Sequence, residues 1–409
     1  MLSREECEAL DTADPLAAVR ARFVLPEGEI YLDGNSLGAL GTTVAPRMAR
    51  AIEEEWGKGL IRSWNEAGWY PAARRVGAAV ARLIGAAPDE VIVADSTSVN
   101  LFKVLVAALR LRPTRRKVLV AAGDFPTDLY IAAGVAQMMG VSFATFDPHE
   151  PASAIDDETA AVVLTQVNYR SGQLYDMERV TAAAHARSAL AIFDLSHSAG
   201  VMKLELNKAK ADFAVGCTYK YLNGGPGAPA YIFAASRHHA TMENPITGWF
   251  GHADPFRFAG DFAPADGMAR MLSGTPPTLS LLALEEALKV FEDVDLDAVR
   301  DKSKGLTDLF MRLSDDMLTP LGFVLASPRD AKKRGSQVSL THEHGYAIMQ
   351  ALIARGITGD FRAPDIVRFG FVPLYIRYVD VFDTAIAIRD IMQTRAWDTV
   401  EFRTRKAVT

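Results

Sequence analysis

A lysine and an aspartate in the middle of the sequence each follow a short apolar segment. Lys220 follows the segment 211–217 and precedes a turn rich in Gly and Pro, and Asp194 follows the apolar residues 190–193. Pyridoxal phosphate requires an amine that forms a Schiff base and a carboxylate that keeps its ring nitrogen protonated. A lysine before a tight turn is usually a surface residue, so this interpretation needs support from other parts of the chain.

Two further polar segments could complete such a site. Thr97 and Ser98 follow a predicted strand and open a helical pattern, and the N-terminus of a helix favours phosphate. The same two residues could instead only cap the helix. Phe125 and Asp128 also follow a predicted strand, where Phe125 could cover one face of a ring and Asp128 could lie at its polar edge. Tyr219 could add a hydroxyl group to the phosphate site.

Binding of an amino-acid substrate would also require a cation for its carboxylate. Arginine suits this task because its planar guanidinium matches a carboxylate with two hydrogen bonds. Arg368 lies in an apolar, strand-like segment, where an incoming carboxylate could pair its buried charge. Arg377 is the alternative, but it lies nearer to helical residues and is expected to be solvated. His197 could pack beside a ring or orient Asp194, although a lone histidine is more often a satisfied polar residue near a core.

Short apolar segments alternate with helical patterns over the first part of the chain. This alternation is typical of an α/β domain with a mostly parallel sheet. Ligands of such sheets bind at the carboxyl ends of the strands, where Asp194 and Lys220 both lie. The predicted strands span residues 90–95, 117–122, 142–146, 160–167, 190–195, 211–217 and 228–233.

A different order of elements follows and predicts a smaller α+β domain. We therefore predict an N-terminal helical segment at 1–30 that associates with the small domain, a large cofactor-binding domain at 31–285 and a small C-terminal domain at 286–409. The predicted elements of the small domain are helices at 296–317, 345–355 and 379–393 and strands at 321–326, 336–341 and 365–371.

Composition and charge argue against several other classes of protein. The 409 residues are 49% hydrophobic and 23% charged, which is ordinary for a globular protein of two domains. A net charge of −6 argues against a nucleic-acid partner, and neither a signal peptide nor a membrane span is predicted. Cys7 and Cys217 are the only cysteines, which predicts a reducing cytoplasm. The histidine clusters at 238–239 and 342–344 are predicted to be solvated loops and not metal sites.

Six short motifs are spread in order along nearly the whole chain. They are 31–38 (YLDGNSLG), 125–128 (FPTD), 194–200 (DLSHSAG), 219–227 (YKYLNGGPG), 248–251 (GWFG) and 367–375 (VRFGFVPLY). Each is a modest signal alone, but their number and order make the match specific. In these motifs the chain resembles the kynureninase family, whose members are pyridoxal-phosphate enzymes of fold type I.

The resemblance implies hydrolysis of L-kynurenine, or of 3-hydroxy-L-kynurenine, to anthranilate and L-alanine in tryptophan catabolism and NAD biosynthesis. It implies a cytoplasmic homodimer with active sites at the subunit interface. Lys220 would hold the cofactor and carry protons, Tyr219 would assist it, and Arg368 would bind the substrate carboxylate. Ser36 and Trp64 would line the pocket for the aryl group. Cofactor contacts would come from Thr97, Ser98, Phe125, Pro126, Thr127, Asp128, Thr165, Asp194, His197 and Tyr219, and from Trp249 and Thr275 of a partner subunit.

Other functions on the same fold stay open at this point. A cysteine desulfurase requires a mobile, reactive thiol, whereas Cys217 lies on the predicted strand before Lys220 and should be buried and inert. An aminotransferase is disfavoured only by the motifs of the resemblance. A catalytically silent cofactor-binding module is disfavoured because Lys220, Asp194 and Arg368 occur together.

Overall fold

The structure, a computed structural model, describes residues 3–258 and 260–405 of the chain. Its elements alternate between strands and helices over most of the chain, and the helix Val44–Arg50 continues into a π-helical segment, Ala51–Gly59. The strands are β1 (Phe23–Val24), β2 (Ile30–Tyr31), β3 (Leu40–Gly41), β4 (Val91–Val93), β5 (Lys117–Ala121), β6 (Ser142–Phe146), β7 (Thr159–Thr165), β8 (Leu190–Asp194), β9 (Phe213–Gly216), β10 (Tyr231–Ala234), β11 (Val324–Leu325), β12 (Gln337–Thr341), β13 (Ile357–Thr358), β14 (Asp360–Arg362) and β15 (Ile366–Gly370). The helices are α1 (Arg4–Thr12), α2 (Val44–Arg50), α3 (Ser63–Glu66), α4 (Ala72–Ile84), α5 (Thr97–Leu111), α6 (Pro126–Met139), α7 (Pro151–Ala154), α8 (Met177–Ala186), α9 (Thr278–Leu288), α10 (Leu296–Met317), α11 (Gly345–Ile353), α12 (Tyr378–Thr394) and α13 (Val400–Arg403).

A seven-stranded sheet in the order β4-β10-β9-β8-β7-β5-β6 forms the centre of the larger part of the molecule. Strand β10 runs antiparallel to both of its neighbours, and the other neighbouring pairs are parallel. Helices α4, α5, α6 and α8 pack against the sheet. Every residue of β7, β8 and β9 is buried, as expected for strands that are covered by helices on both faces.

A four-stranded antiparallel sheet in the order β11-β12-β15-β14 lies in the C-terminal part of the chain. Helices α10 and α11 pack against this sheet. The N-terminal segment joins the same region, because β2 pairs with β13, helix α1 packs on α12, and Asp33 forms a bridge with Gly370. The small sheet is thereby held next to the segment that precedes the large sheet.

The predicted fold class is confirmed, and most predicted elements occur close to their predicted positions. The strand at 142–146 and the helix at 296–317 coincide with β6 and α10. The strand predicted at 228–233 is an exception, because a turn in which Ala228 N donates to Gly225 O delays the start of β10 to Tyr231. The boundaries at residues 30 and 285 stay predictions. Across the two described ranges, no helix is long and apolar enough to cross a membrane.

Candidate active site

Five chain segments meet at the carboxyl edge of the large sheet. Strands β4, β5, β7, β8 and β9 all run in the same direction, so the residues that end or follow them lie along one edge. The segment 94–98 follows β4, and 123–128 follows β5. Thr165 and Asp194 end β7 and β8, and Lys220 lies in the turn after β9. The topology therefore brings most of the predicted cofactor residues together.

The amine of Lys220 lies close to the imidazole of His197. The distance from Lys220 Nζ to His197 Nε2 is 2.9 Å, and the Nζ is 6.0 Å from the centroid of the Phe125 ring. Burial, followed by the charges of Lys220 and Arg368, lowers the pKa of His197 well below its usual range. His197 is therefore a neutral imidazole, which can orient the lysine amine through a hydrogen bond.

The turn that carries Lys220 packs tightly against the segment 31–38. Gly38 N donates a hydrogen bond to Tyr219 O at 2.7 Å. A Cβ atom at position 38 would lie 2.2 Å from Lys220 O, which is far inside van der Waals contact. The glycine is thus required by space, since only a residue without a side chain allows this approach.

Three buried carboxylates, Asp124, Asp128 and Asp194, lie near the lysine. Burial raises the pKa of Asp194, and a hydrogen bond from Ser196 and the charge of Lys220 oppose this shift. Burial and the charges of Asp194 and Asp124 raise the pKa of Asp128 well above its usual value. Burial raises the pKa of Asp124 to about 8. The three groups therefore hold fewer negative charges at neutral pH than separate carboxylates would.

A cavity of about 480 Å³ opens at the N-terminus of α5. Thr97 and Ser98 line one side of it, and the segment 272–277 lines the other. The first N–H groups of a helix have no partner within the helix and attract anions. Tyr219 also lines the cavity, and because burial raises the pKa of its phenol, the group stays protonated and can donate a hydrogen bond. The cavity thus has the donors that a phosphate group needs.

Arg368 is 1% exposed and already has an acidic partner within the chain. The register of β14 and β15 places it opposite Asp360. Arg368 Nε donates to Asp360 Oδ1 at 2.9 Å, and Nη2 donates to the other carboxylate oxygen. The guanidinium also donates to Tyr169 O at 2.6 Å and to Ser36 Oγ at 3.0 Å.

This pairing corrects the sequence argument that an incoming carboxylate would be the partner of the buried Arg368 charge. Asp360 is 2% exposed and satisfies that charge before any substrate binds. A guanidinium has five N–H donors, so Arg368 keeps capacity for a further acceptor beyond the four hydrogen bonds described above. Its predicted role in substrate binding stays a prediction.

The two residues predicted for the aryl pocket lie in different surroundings. Ser36 Oγ donates to Asp360 Oδ2 at 2.9 Å, so Ser36 lies at the buried arginine. Trp64 packs edge-on against Trp69, with ring centroids 6.0 Å apart, and lies 5.8 Å from the Phe250 ring. Trp64 therefore belongs to an aromatic cluster, whereas Ser36 belongs to the cluster of charged residues around Arg368.

Trp249 and Thr275 are the residues that the resemblance assigns to a partner subunit. Thr275 lines the cavity at α5 from the same chain. Trp249 is 40% exposed and lines a separate surface cavity. The structure thus places Thr275 at the cavity next to α5 within one chain, and delivery of either residue across a dimer stays a prediction.

Comparison with known proteins identifies the family. A family model described as the kynureninase C-terminal domain matches residues 299–388. The kynureninase of Burkholderia mallei (strain SAVP1) is 50% identical to this chain, and that of Pseudomonas fluorescens is 47% identical, each over the full length of both proteins. The chain belongs to the kynureninase family.

Solved structures of other enzymes share the fold of this kynureninase-family chain. The cysteine desulfurase CsdA from Escherichia coli matches with a TM-score of 0.78 at 19% identity, covering 93% of this chain and 98% of that chain. The cysteine desulfurase from Thermococcus onnurineus NA1 matches with a TM-score of 0.78 at 20% identity, covering 92% and 98%. At such identities the likeness shows the fold alone, which is fold type I of pyridoxal-phosphate enzymes. Cys217 is buried, and burial raises its pKa, so the thiol lacks the reactivity that a desulfurase needs.

The residues at the sheet edge fit the cofactor that the kynureninase resemblance implies. Asp194 accepts a hydrogen bond from Ser196 N at 2.8 Å. Asp128 Oδ2 and His197 Nδ1 are buried, and neither atom makes a hydrogen bond of normal geometry to the described residues. Buried polar atoms of this kind call for a partner, and a protonated ring nitrogen with its polar substituents would supply one. The donors around the cavity at α5 suit the phosphate of the same molecule.

The sequence argument missed several residues of this region. The missed residues are buried charged side chains that lie next to predicted site residues, namely Asp360, Asp124 and Lys103. Lys103 gave a signal, because it is a lone lysine in an otherwise apolar helical stretch. Asp360 gave a weaker one, since it begins a short alternation of polar and apolar residues at 360–363.

The histidine cluster at 238–239 is not a solvated loop, which corrects the prediction. His238 is buried, and its Nε2 lies 2.8 Å from Asp212 Oδ1. His185 Nε2 lies 2.8 Å from the other oxygen of the same carboxylate. The two histidines are hydrogen-bond partners of the buried Asp212 carboxylate, which would be costly to bury without such partners. In the part of the chain that the structure describes, no group of three or more His, Cys, Asp or Glu side chains could hold a metal ion.

Proposed function

We propose that this chain uses pyridoxal phosphate to hydrolyse L-kynurenine, or 3-hydroxy-L-kynurenine, to the corresponding anthranilate and L-alanine. One observation carries the proposal. Lys220, Asp194 and a cavity suited to phosphate lie along one sheet edge, in a chain that is 50% identical to a kynureninase over its full length. The step belongs to tryptophan catabolism and to the supply of precursors for NAD biosynthesis.

Each proposed contact of the cofactor has a distinct physical task. Thr97, Ser98 and Tyr219 would donate hydrogen bonds to the phosphate, and Asp194 would keep the ring nitrogen protonated. Phe125 would pack against the ring. The further proposed contacts are Pro126, Thr127, Asp128, Thr165 and His197 from the same sheet edge, with Trp249 and Thr275.

When bound, pyridoxal phosphate supplies an electron sink that stabilises negative charge at the substrate Cα. Lys220 would hold the cofactor, and its amine would move the Cα proton of the substrate. His197 lies 2.9 Å from the Lys220 amine and keeps it aimed at the reacting centre. Arg368 fixes the substrate carboxylate, with Asp360 holding its guanidinium in place. Ser36 and Trp64 border the space for the rest of the substrate.

The overall reaction consumes one water molecule. The Cβ–Cγ bond breaks, the oxygen of water becomes part of the anthranilate carboxylate, and a proton is delivered to Cβ, which becomes the methyl group of alanine. We propose that Tyr219 delivers this proton, as the kynureninase resemblance implies; burial raises the pKa of its phenol, so the proton would leave only as negative charge develops at Cβ.

An exposed aromatic patch supports the proposal of a homodimer. We define the patch as Tyr70, Trp249, Phe256 and Phe258, in which each of the other three rings contacts the ring of Phe256. Phe256 and Phe258 are 60% and 80% exposed. Exposed apolar surface of this kind marks an interaction site. Sedimentation should show a dimer that Phe258→Ser weakens, and an unaltered assembly in that variant would contradict this interface.

The same proposal assigns a role to each part of the chain and a cellular location to the protein. Residues 31–285 would hold the cofactor, residues 286–409 would form the small domain, and residues 1–30 would associate with the small domain. The ion pair of Lys302 with Asp14, at 2.6 Å, supports that association. Two buried cysteines without a disulfide support a cytoplasmic location.

The decisive experiment separates hydrolysis from transamination. The holoenzyme is incubated with L-kynurenine without any keto acid, and anthranilate is followed by its fluorescence. The proposal predicts anthranilate and alanine in equal amounts. A reaction that proceeds only when a keto-acid acceptor is added would overturn it in favour of an aminotransferase. Parallel assays with 3-hydroxy-L-kynurenine measure the preference between the two substrates.

A further inference from the structure

A buried lysine lies behind the cavity at the N-terminus of α5. Lys103 is 0% exposed, and its Nζ donates to Asp95 Oδ2 at 2.6 Å and to Met271 O at 2.8 Å. Asp95 precedes the helix and lines the cavity, and the segment 272–277 that follows Met271 forms the opposite wall. The ammonium group of Lys103 therefore connects both walls from inside the protein.

The charge of the cavity makes this contact relevant to phosphate. Among the described residues that line the cavity, Asp95 is the only acidic residue, and no Lys, Arg or His lines it. A carboxylate next to a phosphate dianion repels it, and the repulsion is strong where water is partly excluded. Lys103 itself does not reach the cavity surface, so it acts on a ligand through Asp95 and the backbone.

The backbone at Asp95 has an unfavourable conformation that neighbouring hydrogen bonds stabilise. Asp95 has a φ of +45°, a conformation that residues with side chains rarely adopt. Asn100 Nδ2 donates to Ala94 O at 2.7 Å, and Ala230 N donates to Asp95 O at 2.8 Å. With the Lys103 contact, these bonds fix the turn that leads into Thr97 and Ser98, whose N–H groups face the proposed phosphate.

We propose that Lys103 is a positioning residue for the cofactor phosphate. Lys103 neutralises Asp95 and joins the two walls of the cavity that would hold the phosphate. This inference rests on the proposed function, since it assumes that the cavity holds the phosphate of pyridoxal phosphate. It predicts that Lys103 affects ligands with a phosphate group and leaves the ring and its link to Lys220 largely unaffected.

The test compares two ligands that differ only in the phosphate. The full-length protein is freed of cofactor and titrated with pyridoxal phosphate and with pyridoxal, and each Kd is read from absorbance. Lys103→Met should raise the Kd for pyridoxal phosphate at least about tenfold while changing that for pyridoxal little. Lys103→Met with Asp95→Asn removes both charges and should restore much of the preference for the phosphate ligand.

A matched control removes a similar ion pair elsewhere. Lys302 is also buried and pairs with Asp14 at 2.6 Å, outside the cavity. Lys302→Met should lower stability and keep the ratio of the two Kd values. If Lys103→Met does not fold, Asp95→Asn alone is informative, because removal of the negative charge should increase the preference for the phosphate ligand.

The outcomes separate this inference from the proposed function. An unaltered protein that binds pyridoxal phosphate no better than pyridoxal would contradict the proposed phosphate site itself. If the unaltered protein prefers pyridoxal phosphate, but Lys103→Met or Asp95→Asn leaves that preference unchanged, the role of Lys103 is refuted and the proposed function is not.

Discussion

Substitution of Gly38 by alanine should misplace Lys220 without removing any functional group. An added Cβ would lie 2.2 Å from Lys220 O, 2.5 Å from Asn223 Oδ1 and 2.7 Å from Asn223 Cα. Atoms in contact prefer separations of about 3.5 Å, so the two segments must separate by about 1 Å. Two of the three overlaps involve backbone atoms, which cannot swing aside as a flexible side chain can.

The expected effects differ in size for stability and for catalysis. Overpacking of this kind costs about 1–3 kcal/mol of unfolding free energy. A displacement of about 1 Å at a reacting group lowers the rate about 10²-fold. We therefore expect kcat for kynurenine hydrolysis to fall about 10²-fold in a protein that still folds and binds pyridoxal phosphate.

The assay measures kcat, cofactor absorbance and urea denaturation for Gly38→Ala and for a matched control. Gly134→Ala is that control, because no atom lies within 4 Å of its added Cβ and it is exposed on α6. It should gain up to about 1 kcal/mol of helix stability with kcat unchanged. A Gly38→Ala enzyme with the kcat of the unaltered protein would refute the tight packing of residues 31–38 on the lysine turn.

Three other substitutions test separate parts of the account. Arg368→Lys keeps the charge and loses the planar guanidinium, so KM should rise about tenfold or more with cofactor absorbance intact. Arg377→Lys is the control and should leave KM unchanged. Loss of cofactor from Arg368→Lys would show that Arg368 is misassigned. Asp194→Asn should lower kcat about 10²-fold, since an amide cannot hold a ring nitrogen protonated, and unaltered turnover would contradict its role. Burial alone would raise the pKa of Asp212, but its hydrogen bonds, chiefly the one with His238, lower this pKa. The ionised Asp212 therefore stabilises the fold above about pH 4, and this contribution is lost as the pH falls. Asp212→Asn should unfold more easily at pH 7 and show a flatter acid limb, and identical acid denaturation curves would be evidence against that coupling.

The placement of Asp194 and Lys220 at one edge of the large sheet follows from local sequence features. Strands that are apolar on both faces, each ending in a polar residue, predicted that Asp194 and Lys220 lie at the same edge, and the topology confirms this arrangement. The antiparallel direction of β10 was not visible, because apolar periodicity is the same for a strand that runs either way.

Contacts that depend on strand register or on distant parts of the chain could not be predicted. Asp360 pairs with Arg368 because β14 and β15 lie side by side in one register, and a shift by one residue would turn the two side chains apart. Lys103 bonds to Met271 O across a separation of 168 residues. Neither residue type nor spacing encodes such contacts. Arg368 and Lys103 could therefore be recognised as unusual basic residues in apolar segments, but their partners could not be identified.

The central claim is that Lys220 is the amine that holds pyridoxal phosphate, and borohydride reduction tests it directly. Reduction of the holoenzyme fixes the cofactor to the lysine that carries it, and peptide mass spectrometry then locates the added mass. The added mass is expected on the peptide that contains Lys220 and should disappear in Lys220→Ala. Its presence on another lysine, such as Lys103, or its persistence in Lys220→Ala would contradict this role of Lys220.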